Sequence, residues 1–414
     1  MFRFILIILI FIPFTAFSQI SLEECYSLAK SNYPQIKQAD LIDKMTDYNI
    51  TNANMGYLPK VLFSARASYQ SDVTKIPFDV PYFDIPVLSK DQYKLTIDIS
   101  QTIWDGGKIE ADKAKIKAEQ QNNKNNLESQ LYNIRYQVAE LYFSILLMQE
   151  QLIQNDILEK DLARTYEMVK NNVKNGVANN SDLDKVALEQ IKTKQNKAQI
   201  NAGIQIYMTA LETLIGQKIE NGLLKPSEYD FTDYTIKRPE LELFTSRINL
   251  LDVNKKMINS SYMPKFDLFF QGGYGRPGLD MLSDEFEPFY IVGVKMDWTI
   301  VGFYTGERTK KIIDLNKASV ELERQTFLFN TNIDIENQKA KIEKIKETMS
   351  YDDEILMLRD NILKSSEIKM KQGTLSVNDY LQDVTALNIA KQGKILHEIE
   401  LLKATYELKN IINQ

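Results

Sequence analysis

The spacing of apolar residues changes period along this chain, first helical, then two, then helical again, and the whole succession occurs twice. From Leu22, apolar residues recur at Tyr26, Ala29, Tyr33 and Ile36, the spacing of one helix face. Ser21 and Glu24 stand at capping-box spacing, so a helix is predicted to begin there, with Pro34 as its kink or break. Helix resumes through Ile50 and stops near Gly56 and Pro59. The period then falls to two: Val61, Phe63, Ala65, Ala67 and Tyr69 alternate with Leu62, Ser64, Arg66, Ser68 and Gln70. A second strand sets Tyr93, Leu95, Ile97 and Ile99 against Lys94, Thr96, Asp98 and Ser100. Between them, residues 71–91 hold Pro77, Pro81 and Pro86 and predict a loop.

The second half repeats this order. Tyr57-Leu58-Pro59-Lys60 reappears as Tyr262-Met263-Pro264-Lys265, 205 residues later. Phe266, Leu268, Phe270, Gly272 and Tyr274 alternate with Asp267, Phe269, Gln271 and Gly273. After a Gly-, Pro- and Asp-rich loop over 275–289, Tyr290, Val292, Val294, Met296 and Trp298 alternate with Ile291, Gly293, Lys295, Asp297 and Thr299. Lys174-Asn175-Gly176 and Lys371-Gln372-Gly373 form a second matched pair, 197 residues apart. Solenoid repeats run roughly 20–50 residues, so a period near 200 reads as one unit used twice. Each unit is helix, strand, strand, long helix, turn, helix. The boundaries are residues 19–215 for the first repeat, 216–240 for a connector and 241–414 for the second repeat.

Each predicted strand is about ten residues with one apolar face and one charged face. That length crosses a bilayer when tilted, and the alternation is that of a transmembrane barrel strand. Tyr57, Tyr69, Tyr93, Trp104, Tyr262, Tyr274, Tyr290 and Trp298 at the strand ends suit an interfacial girdle. A soluble antiparallel sheet with one buried face alternates identically and is the competing reading. On the barrel reading, Arg66, Lys94, Asp98, Asp267, Lys295 and Asp297 line the lumen. Their mixed sign suggests hydration with charge balance more than a selective filter.

The predicted helices are extreme in length. No proline occurs from about Gly107 to Asn175 or from about Gly306 to Gln372, and each stretch would span roughly 100 Å if continuous. Return helices are expected over about 181–215 and 377–411. Long helices without a wide apolar face need partner helices along their length, as in coiled coils. The connector 216–240, with Gly216, Gly222 and Pro226, yields no element from its pattern.

Composition narrows the class. Residues 1–18 combine Arg3, an apolar run from Phe4 to Phe14 and Ala16-Phe17-Ser18, the form of a cleavable export signal; an uncleaved anchor helix is the alternative. Export leaves strands as the route into a membrane, because no other apolar run approaches a spanning length. The single cysteine, Cys25, excludes an internal disulfide, and Leu22-Glu23-Glu24 before it does not fit a lipidation site. With one cysteine and one histidine (His397), a zinc or Cys/His catalytic site lacks material, so neither an enzyme nor a metal or cofactor is expected. Net charge is −6, or −7 once Arg3 leaves with the signal, which disfavours nucleic acid as a partner.

Four strands per chain cannot close a barrel, since transmembrane barrels need at least about eight. Copies must pool their strands, and two or three copies would both suffice. The order of elements, the Tyr-x-Pro-Lys lead into each first strand, Trp104-Asp105-Gly106-Gly107 at the strand-to-helix return and Arg238-Pro239-Glu240-Leu241 opening the second half resemble the TolC family of outer-membrane efflux proteins. The resemblance covers essentially the whole mature chain. It implies a mainly α fold with a transmembrane β portion: a homotrimer with a twelve-stranded β-barrel in outer-membrane lipid, continued by an α-helical barrel. It also implies a passive exit duct that docks a periplasmic adaptor and an inner-membrane transporter, for efflux or type I secretion. A stand-alone porin and a periplasmic coiled-coil scaffold are the rival functions. The second strand-to-helix return, Thr299 to Gly306, lacks the Asp-Gly-Gly of the first.

The helix-turn-helix tips are where the resemblance places the gate and the adaptor contacts. Gly176 and Gly373 suit the left-handed residue that ends a helix, and Ser181 and Ser376 suit N-caps of the returning helices. Asp182 and Asp379 share one offset, six residues after each glycine; three copies facing a bore would present rings of carboxylates that favour cations. The plainer reading is that they offset helix dipoles, and Asp184 could stand in for Asp182. Met370, Leu375 and Gln382 occupy positions where family members often carry tyrosine, arginine and acidic closing contacts.

Overall fold

The computed structural model describes residues 19–74, 87–300 and 302–413. The predicted export signal and the segment 75–86, which holds Pro77, Pro81 and Pro86, lie outside them. The described chain forms two compact units, and each draws on both sequence repeats.

One unit comprises residues 37–127 and 240–325. It holds α2 (Gln38–Asn54), β1 (Lys60–Tyr69), β2 (Asp91–Trp104), β3 (Lys265–Arg276) and β4 (Glu287–Asp297), with most of α3 (Lys108–Tyr132), α6 (Pro239–Ser260) and the first half of α7 (Gly302–Met349). The four strands make one antiparallel sheet in the order β1-β2-β3-β4, so β1 and β4 are edges. The first and third strands agree closely with prediction; the second runs four residues past Ser100, to Trp104, and the last is shifted. It starts three residues early, at Glu287, and ends at Asp297, leaving Trp298 and Thr299 just past it. The Trp298 indole N–H there donates to the Tyr262 carbonyl, 3.0 Å away.

The two strand-to-helix returns differ for a local reason. After β2, Gly106 and Gly107 adopt left-handed φ of 72° and 82°. The Asp105 carboxylate accepts from the backbone N–H groups of Gly107 (2.9 Å) and Ile109 (2.6 Å), which closes the first turn of α3. After β4, the helix begins at Gly302, four residues earlier than predicted. Gly302 and Gly306 there leave room for the Tyr262 ring; a Cβ on Gly306 would overlap its hydroxyl.

The other unit comprises residues up to 36, then 128–239 and 326–414. Its helices are α1 (Leu22–Asn32), α4 (Ile134–Lys174), α5 (Asn180–Ile215), α8 (Asp352–Lys371) and α9 (Val377–Ile412), with the second half of α7. The predicted capping box of Ser21 and Glu24 is formed, and Pro34 opens a single 3-10 turn that separates α1 from α2. Helix α4 packs on α5 and α9, and α8 packs on α9. The core gathers Cys25, Ala29, Val138, Tyr142, Phe143, Leu211 and Ile215, with the Phe143 ring 5.8 Å from that of Tyr406. Burial pushes the Cys25 thiol up to about 12, with Glu24 adding to the effect.

Neither long helix is continuous. The first breaks at Asn133, where Tyr136 N–H bonds the Asn133 carbonyl and Asn133 N–H bonds Gln130, a 3-10 tightening. The second breaks at Ser350-Tyr351. Beside the first break the Arg135 guanidinium lies 4.6 Å from the Tyr26 ring and 5.4 Å from the Tyr132 ring, and it also bonds Glu23 and Asn413.

The connector is extended and held by its flanks. Leu223 forms a parallel bridge with Ile20, Lys237 N–H bonds the Ile412 carbonyl, and Phe231 and Ile236 pack on Ile335, Ile342, Ala404 and Leu408. The Tyr142 hydroxyl reaches the carbonyls of Ile20 (2.9 Å) and Leu224 (2.5 Å). Replacing Tyr142 with Phe should therefore lower stability by about 1 kcal/mol, read as a lower urea midpoint. In the same titration Cys25 should resist maleimide at neutral pH until the protein unfolds.

Candidate functional site

In the helical unit the two tips are built alike. Gly176 has φ 74° and Gly373 has φ 72°, the left-handed region where a side chain is costly. Each helix ends in a Schellman motif. Val177 N–H bonds the Asn172 carbonyl and Gly176 N–H bonds Val173; at the second tip Thr374 bonds Lys369 and Gly373 bonds Met370. Three residues after each glycine comes the N-cap of the returning helix: Asn179 at one tip, Ser376 at the other. The cap expected at Ser181 is thus a correction. Ser181 is the second residue of α5, because Asn179 already accepts from the Asp182 N–H and Asp182 reaches back to the Asn179 N–H.

With the caps placed, Asp182 and Asp379 are equivalent, each three residues after its cap, and Asp184 is not needed as a substitute. Both carboxylates serve their helix starts: Asp182 in the capping box, Asp379 through the Ser376 hydroxyl at 2.7 Å. Their electrostatic states differ. Asp182 is paired with Lys185 at 3.1 Å and its side chain is only 17% exposed. Asp379 is exposed and has no cation within ion-pair distance among the described residues. Under the turns lies an apolar cluster of Leu162, Val169, Val186, Met370, Val377 and Tyr380, with Leu375 packed against it. Met370 and Leu375 therefore fill a core joining the two hairpins, while Gln382 is exposed. The tips touch: a Cβ on Gly373 would lie 3.3 Å from Val177.

In the sheet unit, register assigns the two faces. Arg66 pairs with Lys94, Leu62 with Asp98 and Asp98 with Gln271; Thr102 pairs with Asp267, Asp267 with Lys295 and Lys265 with Asp297. Residues directly opposite share a face, so all six expected lumen residues lie on one side. The other side carries Val61, Phe63, Leu95, Ile97, Phe270, Val292 and Val294. The large side chains of this apolar side are bare: Phe63 is 73% exposed, Tyr290 70% and Val294 64%. A soluble sheet would bury its apolar face, so this exposure argues against that alternative.

Charges at the helix end of the polar side are mutually paired, Lys265 with Asp267 at 2.7 Å and Lys295 with Asp297 at 3.0 Å. Asp98 is bonded by the neutral groups of Thr96 and Gln271. Phe289 fills the space left by Gly273, and Phe269 stacks over Gly293. Sequence periodicity did not find these aromatic fillers; the pairing register, which sets glycine opposite phenylalanine, was the missing signal.

No cluster of His, Cys, Asp and Glu able to hold a metal occurs among the described residues, and no described helix is long and apolar enough to cross a membrane.

Comparison with known proteins gives a family match over part of the chain and a fold. Residues 25–217 match the family model described as outer membrane efflux protein. Among curated proteins, no sequence match was found. The fold resembles the Campylobacter jejuni CmeC outer membrane channel at 14% identity and TM-score 0.66, over 96% of this chain and 86% of that one. It resembles CusC, solved in a study of transmembrane channel formation, at 13% identity and TM-score 0.68, over 94% and 91%. It resembles the outer membrane protein VceC of Vibrio cholerae at 14% identity and TM-score 0.65, over 94% of each chain.

The tips supply the test of their own geometry. Gly176→Ala should cost about 1 kcal/mol, and Gly373→Ala more, because its new methyl also presses on Val177. Hydrogen exchange of the amides from Thr374 to Tyr380 should speed up roughly fivefold or more in the Gly373 variant.

Proposed function

We propose that this chain, which carries an outer membrane efflux protein family domain over residues 25–217, assembles as a homotrimeric outer-membrane channel. On this reading it is the passive exit duct of a tripartite efflux or type I secretion machine. Three four-stranded sheets close a twelve-stranded barrel in the outer membrane, and the helical unit stands in the periplasm. A periplasmic adaptor protein docks at the tips around Gly176 and Gly373, and an inner-membrane transporter supplies energy and cargo.

The observation that carries this reading is the sheet. Its apolar face is uncovered and both edges are unpaired among the described residues. In hydrocarbon each unpaired backbone group costs several kcal/mol, so the sheet becomes stable there only when copies pair edge to edge. The helices point the same way. Leu315 is 70% exposed and Leu322 62%, both on α7, a long helix that needs neighbours. A stand-alone porin would gain nothing from helical hairpins whose tips are pinned by a shared core.

At the mouth, the unpaired Asp379 is the better candidate for a carboxylate ring, since Lys185 already neutralises Asp182. The Asp182 and Asp379 side chains also hold helix starts, so substitution with Asn separates charge from capping better than Ala.

Purified mature protein should have the mass of a trimer in detergent and give a small, mostly closed conductance in planar bilayers. Asp379→Asn should lower its cation preference more than Asp182→Asn does. Val294→Lys or Ile97→Lys should impair insertion, since a lipid-facing charge near the midplane costs about 2–4 kcal/mol. A monomer that never inserts, or Lys variants that assemble normally, would favour the scaffold; a large, permanently open current would favour the porin.

A further inference from the structure

The polar side of the sheet contains one charge arrangement that structure alone does not explain. Arg66 and Lys94 are direct cross-strand partners, two cations side by side. Like charges directly opposite in a sheet destabilise it. Elsewhere on this side lysines meet carboxylates: Lys265 with Asp267, Lys295 with Asp297. Arg66 and Lys94 have no carboxylate within ion-pair distance among the described residues.

Nearby acids are engaged or distant. Asp98 lies four residues from Lys94 along β2, about 13 Å at strand rise, beyond the Debye length of about 8 Å at physiological ionic strength. It is also bonded by Thr96 and Gln271. Glu287 shares the row of Arg66 and Lys94 but stands two strands over from Lys94, across Gly275, and accepts from the Ser283 hydroxyl. Meanwhile the Lys94 ammonium is held in place: it sits 4.7 Å from the centroid of the Phe289 ring, and Phe289 is itself seated in the gap over Gly273. The row lies near the β1–β2 loop end of the sheet.

We infer that Arg66 and Lys94 form an anion-binding station on the bore wall, one per copy, that takes the carboxylate, sulfonate or phosphate groups of passing cargo. The guanidinium offers a planar fork to two oxygens, and the ammonium, fixed on Phe289, offers a point charge beside it. Both side chains are exposed, which leaves the pair accessible from the bore. This rests on the reading that the polar face lines a channel.

The test is single-channel recording of the trimer with tripolyphosphate as the anionic probe and spermine as its cationic counterpart. Wild-type channels should show discrete block by tripolyphosphate. The Arg66→Gln and Lys94→Gln variants should each shorten the blocked dwell time, and the double variant should shorten it roughly tenfold. Phe289→Leu, which keeps the gap over Gly273 filled while removing the ring under Lys94, should shorten it less. Asp98→Asn should not weaken the block. Equal block in wild type and the double variant, or an equal response to spermine, would overturn the station while leaving the channel reading intact. A protein of trimer mass that gives no conductance would overturn the channel reading and the station together. Unaltered mass and open conductance in the variants would exclude misfolding as the cause of any change.

Discussion

A free strand edge in hydrocarbon is the constraint on which the rest depends. Water satisfies an exposed edge in a soluble sheet; lipid cannot, and the penalty is several kcal/mol for every unpaired group. Among the described residues this chain has four strands, an apolar face bare to its surroundings and two open edges. On the channel reading proposed above, pairing β4 of one copy with β1 of the next satisfies the edges and at the same time gives the apolar face a suitable solvent. Assembly would then be part of folding for the sheet unit. The polar face can then hold water, which is why its Asp, Lys and Arg side chains, costly in a protein core, are tolerated there.

The tips obey a different constraint. A helix that reverses must satisfy its last carbonyls and the first N–H groups of the returning helix within a few residues. Both tips use the same solution, a left-handed glycine, a Schellman bond pair, a cap three residues on and an aspartate three residues further. Beneath them Met370, Val377, Tyr380 and Val186 bury a common core, so the two hairpins move as one body or pay to separate. Asp182 and Asp379 look alike in sequence and are alike as helix-start acids. They differ only because Lys185 follows Asp182 by one turn and nothing comparable follows Asp379.

What was legible in the sequence is what local physics decides. Period two and period 3.6 located all four strands and the long helices, and proline and glycine marked Pro34, Gly176 and Gly373. What was hidden depends on contacts between residues far apart in the chain. The breaks at Asn133 and Ser350-Tyr351 carry no proline or glycine. The break at Asn133 sits where Arg135 stacks on Tyr26, more than a hundred residues away. The connector looked structureless because its bonds run to Ile20 and Ile412 rather than to its own neighbours. The cap was misplaced to Ser181 because Asn179, Asn180 and Ser181 are all capable caps, and only the Schellman geometry decides among them. At the second return, the missing Asp-Gly-Gly is replaced by two glycines one turn apart that accommodate Tyr262, a contact no spacing rule foretells.

Charge pairing separates structural from functional groups in both units. Where a carboxylate and a cation lie within a few ångströms, as at Lys265–Asp267, Lys295–Asp297 and Asp182–Lys185, their fields cancel for anything passing. Among the charges without such a partner are Asp379 at a tip and Arg66 with Lys94 at the loop end of the sheet, and these are of opposite sign. Fields of exposed charges fade within about 8 Å in physiological salt, so each acts only on what is beside it. Net charge of the chain consequently predicts nothing about selectivity. An ion permeability ratio reports the narrowest ring it meets, whereas residence at a wider point reports the groups lining that point. On the proposed channel reading, a cation preference set at one constriction and detention of anionic cargo at a cationic wall are thus compatible.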